Sequence, residues 1–215
     1  MLKISAIIMA SGKSSRMGVN KLFLDYQGKT FLEHSLSLSS EIPFFERILV
    51  ISPENLHGLK LPKDLKIIQN LEAEKGQSTS VRLGTKAASG GGYLYLTVDQ
   101  PLLNRTLIES LLPAYSKEAI VFPVDKMLAP CSPIFFGNKF RTELLKVTGK
   151  NGGRAVRNRH PEAWHKIQVA DPQRLIDIDT PTDYIKLVNQ NFYVSERKQK
   201  DETASVSESC SYLKP

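Results

Sequence analysis

Short apolar runs alternate along this chain with stretches whose apolar residues recur every three or four positions. Residues 4–9 form an uninterrupted buried-strand pattern, and residues 47–51, 65–68, 93–98 and 119–122 repeat it. Between them, residues 31–38, 78–88 and 107–115 carry helical spacing. Strand and helix in alternation predict an α/β fold, a three-layer sandwich around a mainly parallel, Rossmann-like sheet covered on both faces. Leu36, Leu38, Leu107 and Leu111 then belong to its core. After Pro123 the rhythm changes. Residues 131–136 read as a strand that begins beside Pro133, hence at an edge or a bend. Residues 140–147 and 153–159 read as helical, and residues 164–169 alternate as a half-buried strand does. Thr180 and Pro181 open a last helix over 181–188, as N-cap and first helical residue. Beyond about 195 the chain is polar and rich in Lys, Glu and Ser, the composition of a flexible tail. The expected division is one domain over 1–190 and a tail over 191–215.

Composition narrows the picture. A chain of 215 residues suits a single domain, and 41% hydrophobic with 24% charged residues excludes disorder and collagen-like structure. No apolar run approaches the ~20 residues that span a bilayer. The N-terminal run is followed at once by Ser11-Gly-Lys-Ser-Ser-Arg16, unlike a signal peptide or a stop-transfer segment, so a cytoplasmic protein is expected. Cys131 and Cys210 build neither a disulfide framework nor a metal-ligand spacing. The net charge of +7 points to an anionic partner. Its scatter, without interleaved aromatics, argues against nucleic acid. Two basic concentrations, Lys13/Arg16/Lys21 and Lys150/Arg154/Arg157/Arg159, suit phosphates.

The stretch from Met9 to Lys21 lies at the carboxyl end of the first strand, where open α/β sheets bind ligands. Small residues Ala10, Ser11 and Gly12 let backbone N–H groups approach an anion, and Arg16 and Lys21 can neutralise it. A Walker A loop would need glycine at Ile7, and the dinucleotide fingerprint would need it at Ser14. Neither is present. Farther on, Asp99 ends the strand over 93–98, as a Mg²⁺ ligand or as the cap of a helix near Leu102. Asp177 and Asp179 are two apart and would share a strand face, while Asp183 sits in the first turn of the last helix.

The loop resembles the signature of MobA-like nucleotidyltransferases, Leu-Ala-Ala-Gly-x-Ser-x-Arg-Met-Gly-x-x-Lys. It matches at Ala10, Gly12, Ser14, Arg16, Met17, Gly18 and Lys21, with Met9 and Ser11 as departures. The resemblance implies a nucleotide-diphospho-sugar transferase type of fold and a loop that holds a nucleoside triphosphate. It also implies that Asp99, in a segment similar to Gly-Asp-x-Pro, holds Mg²⁺. Residues 177–183 are similar to Asp-Ile-Asp-Thr-Pro-Glu-Asp, with Thr182 for Glu, which makes Asp179 the better second metal contact and leaves Asp177 open.

Within the family, Ser11 and the segment Gly76-Gln-Ser-Thr-Ser-Val-Arg-Leu-Gly84 resemble the molybdenum cofactor cytidylyltransferase branch. That resemblance implies CTP as donor, with Asn70, Gly76, Ser78 and Ser80 at the nucleotide, although either serine also suits an N-cap. Gly152, Gly153 and Arg154 resemble the acceptor loop, with Lys150 where an Asp is usual, and Ser132 departs from Gly-x-Pro. The implied reaction moves CMP from CTP to the terminal phosphate of molybdenum-molybdopterin and releases pyrophosphate. Arg16, Lys21 and Asp99 are the expected catalytic residues. A molybdenum hydroxylase or its chaperone is the implied transient partner. The rivals are a guanylyl- or sugar-phosphate nucleotidyltransferase and a non-catalytic nucleotide-binding regulatory module.

Overall fold

A computed structural model describes residues 3–189. The expected tail over 191–215 lies outside these residues. Strand β1 (Ile4–Ala10) leads through a loop over 11–20, a short 3₁₀ turn at Lys21–Phe23 and a small hairpin of β2 (Asp25–Tyr26) and β3 (Lys29–Thr30). Helix α1 (Phe31–Glu41) follows, fixed by a capping box in which Thr30 and Glu33 satisfy each other's backbone N–H groups. Next come β4 (Glu46–Ile51), the single turn α2 (Pro53–Leu56), β5 (Leu65–Gln69), α3 (Gln77–Ala87), β6 (Gly92–Thr97) and α4 (Arg105–Leu111). The second half holds β7 (Ile120–Val124), β8 (Ile134–Gly137), α5 (Arg141–Leu144), α6 (Arg154–Arg159), β9 (Trp164–Gln168) and a last helix, α7, over 181–189. Thr180 caps α7, accepting from the Asp183 N–H at 3.2 Å.

The seven strands order β5-β4-β1-β6-β8-β7-β9, and only β8 runs against the rest. The mainly parallel three-layer sheet predicted from the alternation is present. Of the two places expected for Pro133, the edge is not the one found: β8 is an interior strand, paired on both sides, and the chain bends at Ser132 just before it. The ladder begins at Ile134, so the missing proline N–H removes no bond from it.

Successive residues of each strand feed opposite faces. Ile8, Leu49 and Leu94 pack under α1 and α4 with Leu32, Leu36, Leu107 and Leu111. Ile7, Ile48, Val50 and Tyr95 pack under α3, α5 and α6 with Val81, Leu144 and Val156. Gly84 lets α3 settle on the sheet, because a Cβ there would strike Ile7 Cγ2. Parallel register puts Met9 beside both Val50 and Thr97, so the loops after β1, β4 and β6 emerge along one edge. Among the described residues, no helix is long and apolar enough to cross a membrane.

Candidate active site

The loops on that edge surround a cleft of about 610 Å³. Its walls carry the basic groups Lys13, Arg16, Lys21, Lys150 and Arg154, and the acidic groups Glu74, Asp99, Asp177 and Asp179. Each wall has a local cause. In the loop after β1, Ser14 adopts φ +50°, and its carbonyl accepts from the Met17 N–H at 2.9 Å. Met17 is buried among Tyr26, Phe31, Ile178 and Leu187, pinning the loop to α1 and α7. Gly12 has no such packing reason, since a Cβ there would meet no protein atom within 4 Å. It lines the cleft, so its bareness leaves room for a ligand. Ser11 turns back to the sheet, its hydroxyl donating to the Val50 carbonyl at 3.1 Å.

Lys21 joins residues far apart in sequence. Its Nζ lies 2.7 Å from Asp179 Oδ1 and 3.5 Å from Asp99 Oδ2. Arg16 reaches the other Asp179 oxygen at 2.8 Å. Burial pushes the Asp179 carboxyl up, but the hydrogen bond and charge of Lys21, aided by Arg16, outweigh this and hold it below its ordinary range. Asp177 goes the other way. Burial first, then the negative charges of Asp99 and Asp179, push it up to about 7 against the opposing pull of Arg154 and Lys21. Asp183 is bound up with the helix start, its carboxylate accepting from the N–H groups of Thr180 at 2.9 Å and Asp179 at 3.3 Å. It shapes the backbone of Asp179 and does not line the cleft.

Helix capping is not the role of Asp99. Asn104 caps α4, accepting from the Leu107 N–H at 3.0 Å. Asp99 Oδ1 is left buried with no hydrogen-bond partner. A buried carboxylate oxygen without a donor is costly unless a cation meets it. Asp177 lies close enough to feel the charge of Asp99, and carboxylate oxygens of this kind are hard, anionic donors that fit Mg²⁺ or Mn²⁺. Among the described residues, no three His, Cys, Asp or Glu side chains close into a metal cage by themselves.

The nucleotide side is divided. Ser80 and Gly76 line the cleft, whereas Ser78 is buried beneath it with an unpaired hydroxyl. Asn70 is also buried, donating to Thr79 Oγ1 at 2.9 Å and Ser80 Oγ at 3.2 Å, so it orients Ser80 from behind. Neither serine caps α3, whose N-cap is Gly76. Ala10 is fully buried at the end of β1. Of the acceptor residues, Arg154 lines the cleft. Gly152 and Gly153 support it from behind, where Cβ atoms would crowd Gln77 Oε1 at 2.9 Å and the Phe136 ring at 3.2 Å. Gln77 and Glu74 are cleft residues that the sequence reading missed, for no motif singled them out.

Comparison with known proteins bears on the family and the fold. Purine catabolism protein PucB of Bacillus subtilis is 31% identical over 195 residues, covering 83% of this chain and 92% of that protein. A molybdenum cofactor guanylyltransferase of Xanthomonas euvesicatoria is 24% identical over 87% of this chain and 95% of its own length. The manganese complex of Rv0371C from Mycobacterium tuberculosis superposes with a TM-score of 0.72 at 19% identity, over 87% of this chain and 98% of that one. The fold is that of the nucleotide-diphospho-sugar transferases. The MobA-like NTP transferase domain itself matches residues 6–164, and this chain is a nucleotidyltransferase that belongs to that family.

Proposed function

We propose that this chain transfers CMP from CTP to the terminal phosphate of molybdenum-molybdopterin. In that reaction an acceptor phosphate oxygen attacks the α-phosphorus, the new P–O bond forms, and the bond to the β-phosphate breaks with its electron pair leaving on pyrophosphate. An acceptor phosphate is already ionised near neutral pH, so the protein supplies no base. Its work is positioning and charge neutralisation. The observation that carries this reading is Lys21, held between Asp99 and Asp179 at the mouth of a loop built to admit an anion. Arg16 and Lys21 steady the phosphates, and Lys150 and Arg154 offer positive charge to the acceptor on the other wall. Asp99 and Asp179 would hold Mg²⁺, which neutralises charge on the phosphates when bound.

CTP is favoured by Ser11, the small non-glycine residue by which the loop resembles the cytidylyl branch. Ser80 supplies a hydroxyl for a pyrimidine edge. A guanylyl reading has its own support, since the Xanthomonas relative is named a molybdenum cofactor guanylyltransferase. The product would pass from the cytoplasm-resident enzyme to a molybdenum hydroxylase or its chaperone in a transient complex. Pyrophosphate release measured with CTP and with GTP, each with and without molybdopterin, tests the proposal. Acceptor-dependent release with CTP is expected, and a strong signal with GTP alone overturns the cytidylyl assignment. A non-catalytic module would bind CTP without turnover, and its biological activity would survive Asp99→Ala.

A further inference from the structure

Beside the cleft, and sharing Gly12 to Ser15 of the loop with it, a second cavity of about 450 Å³ opens between the loop and α2. At its floor lies Asn55, a buried polar residue that belongs to no motif of the site. Its Nδ2 donates to Ser52 Oγ at 2.9 Å, and Ser52 directly follows β4 and is itself buried. Its Oδ1 accepts from Asn20 Nδ2 at 2.6 Å. Asn20 in turn caps the 3₁₀ turn at Lys21–Phe23, its Oδ1 accepting from the Leu22 N–H at 3.2 Å. The orientation of both amides follows from that last bond. A backbone N–H only donates, so Asn20 must present its oxygen to Leu22 and its NH₂ to Asn55. Asn55 is then left to meet Asn20 with oxygen and Ser52 with nitrogen.

Lys21 opens the turn that this relay holds. Its own N–H donates to Ser14 Oγ at 3.1 Å, which ties it to the phosphate loop from the front. Two independent anchors therefore set its backbone, one from the loop and one from the end of β4. The Lys21 side chain is only 13% exposed and reaches two carboxylates contributed by distant segments, so small shifts of its Cα move the ammonium off its partners. A misplacement of about 1 Å is enough to cost a large factor in rate.

We infer that Asn55 is a positioning residue for the transfer reaction, acting through Asn20 to place the Lys21 ammonium. The inference rests on the assignment of Lys21 to the triphosphate. It predicts that Asn55→Ala lowers kcat about tenfold while nucleotide KM changes less than threefold. Asn55→Asp keeps an acceptor for Asn20, and the Ser52 hydroxyl can turn to donate to it, so this variant should retain a rate within threefold of the parent. Asn20→Ser keeps a good cap but is too short to reach Asn55, and should reproduce the Asn55→Ala loss.

The deciding experiment is a double-mutant cycle with Lys21→Ala, with rates from pyrophosphate release and unfolding midpoints measured on the same samples. With Lys21 absent, Asn55→Ala should slow turnover no further, although its effect on unfolding should persist. Additive rate losses would overturn the inference and leave the reading of Lys21 intact. A Lys21→Ala variant that turns over like the parent would instead overturn the functional reading beneath it. If Asn55→Ala does not fold, Asn20→Ser carries the same cycle.

Discussion

Replacing Lys21 with Met separates two roles that the geometry assigns to one ammonium. The side chain keeps its length and apolar stem but loses the charge that sits 2.7 Å from Asp179 and 3.5 Å from Asp99. At an effective dielectric near 20, those separations correspond to gross attractions of about 6 and about 5 kcal/mol. Desolvation of three partly buried charges offsets most of that, and the net loss of stability should be about 1–2 kcal/mol. The rate effect is larger. Removing a charged contact to the transition state costs about 3 kcal/mol, roughly a hundredfold.

Metal affinity should move the opposite way. Without nucleotide, Lys21 sits against Asp179 Oδ1 and Asp99 Oδ2, on the two carboxylates that would hold a divalent cation, so its charge competes with the cation for them. Lys21→Met should therefore bind Mn²⁺ more tightly than the parent in titration calorimetry without nucleotide, yet turn over about a hundredfold more slowly. Lys13→Met is the control, because Lys13 lines the cleft without an ion-pair partner among the described residues. It should lose much less rate. Equal losses at both lysines would mean a diffuse basic patch, and weaker Mn²⁺ binding by Lys21→Met would refute the shared-carboxylate argument.

Asp99→Asn should reduce turnover far more than CTP affinity, because the buried, unpartnered Oδ1 has no role that an amide fills; activity titrated against Mg²⁺ checks this, and near-normal metal dependence would move the metal site elsewhere. Gly84→Ala gains about 1 kcal/mol in helix propensity but drives a methyl into fully buried Ile7, a clash of about 1–3 kcal/mol. A midpoint lowered by a few degrees in thermal unfolding is expected, and an unchanged one would mean that α3 shifts freely on the sheet. Burial raises the Glu46 carboxyl, but donors from Ser89 and Ser5 and the charge of Lys66 outweigh it and hold it below its ordinary range. Its stabilisation is thus present above the unfolded value of about 4.3 and is lost as pH falls through the lower folded value. Glu46→Gln should cost about 1 kcal/mol at pH 7, discounted for its exposure, with the gap to the parent closing below about pH 4 in denaturant unfolding.

The layers of this fold were legible because its strands are short, apolar and separated by helices of one to three turns, so period alone distinguished them. Pro133 marked a bend correctly but could not tell an edge strand from an interior one, because the pairing starts one residue later at Ile134. The short α2 was invisible for a related reason: four residues cannot display a helical period, and Asn55 went unnoticed with it. In the loop, the sequence pattern marked Arg16 and Lys21 as charges for an anion, yet it carried no sign of what holds them. That information is tertiary. Lys21 and Asp179 stand 158 positions apart, and only the register of β1 against β6, with α7 packed on Met17, brings them together.

Local burial and donors explain why Asp177 and Asp179 titrate in opposite directions although they stand two positions apart. Asp99 and Asp177 enter the cleft with few donors, while Asp179 receives both Lys21 and Arg16. The basic residues thus neutralise Asp179 well, while Asp177 is pushed up to about 7 by burial first and then by the charges of Asp99 and Asp179, which Arg154 and Lys21 only partly offset. A protein with net charge +7 has cations to spare, so the shortage is local and built by the fold. In the proposed reaction, such a deficit beside an entering triphosphate would repel the ligand unless a divalent cation entered with it. On that proposal the acidic corner and the basic loop would be two halves of one electrostatic design, completed when nucleotide and metal arrive together.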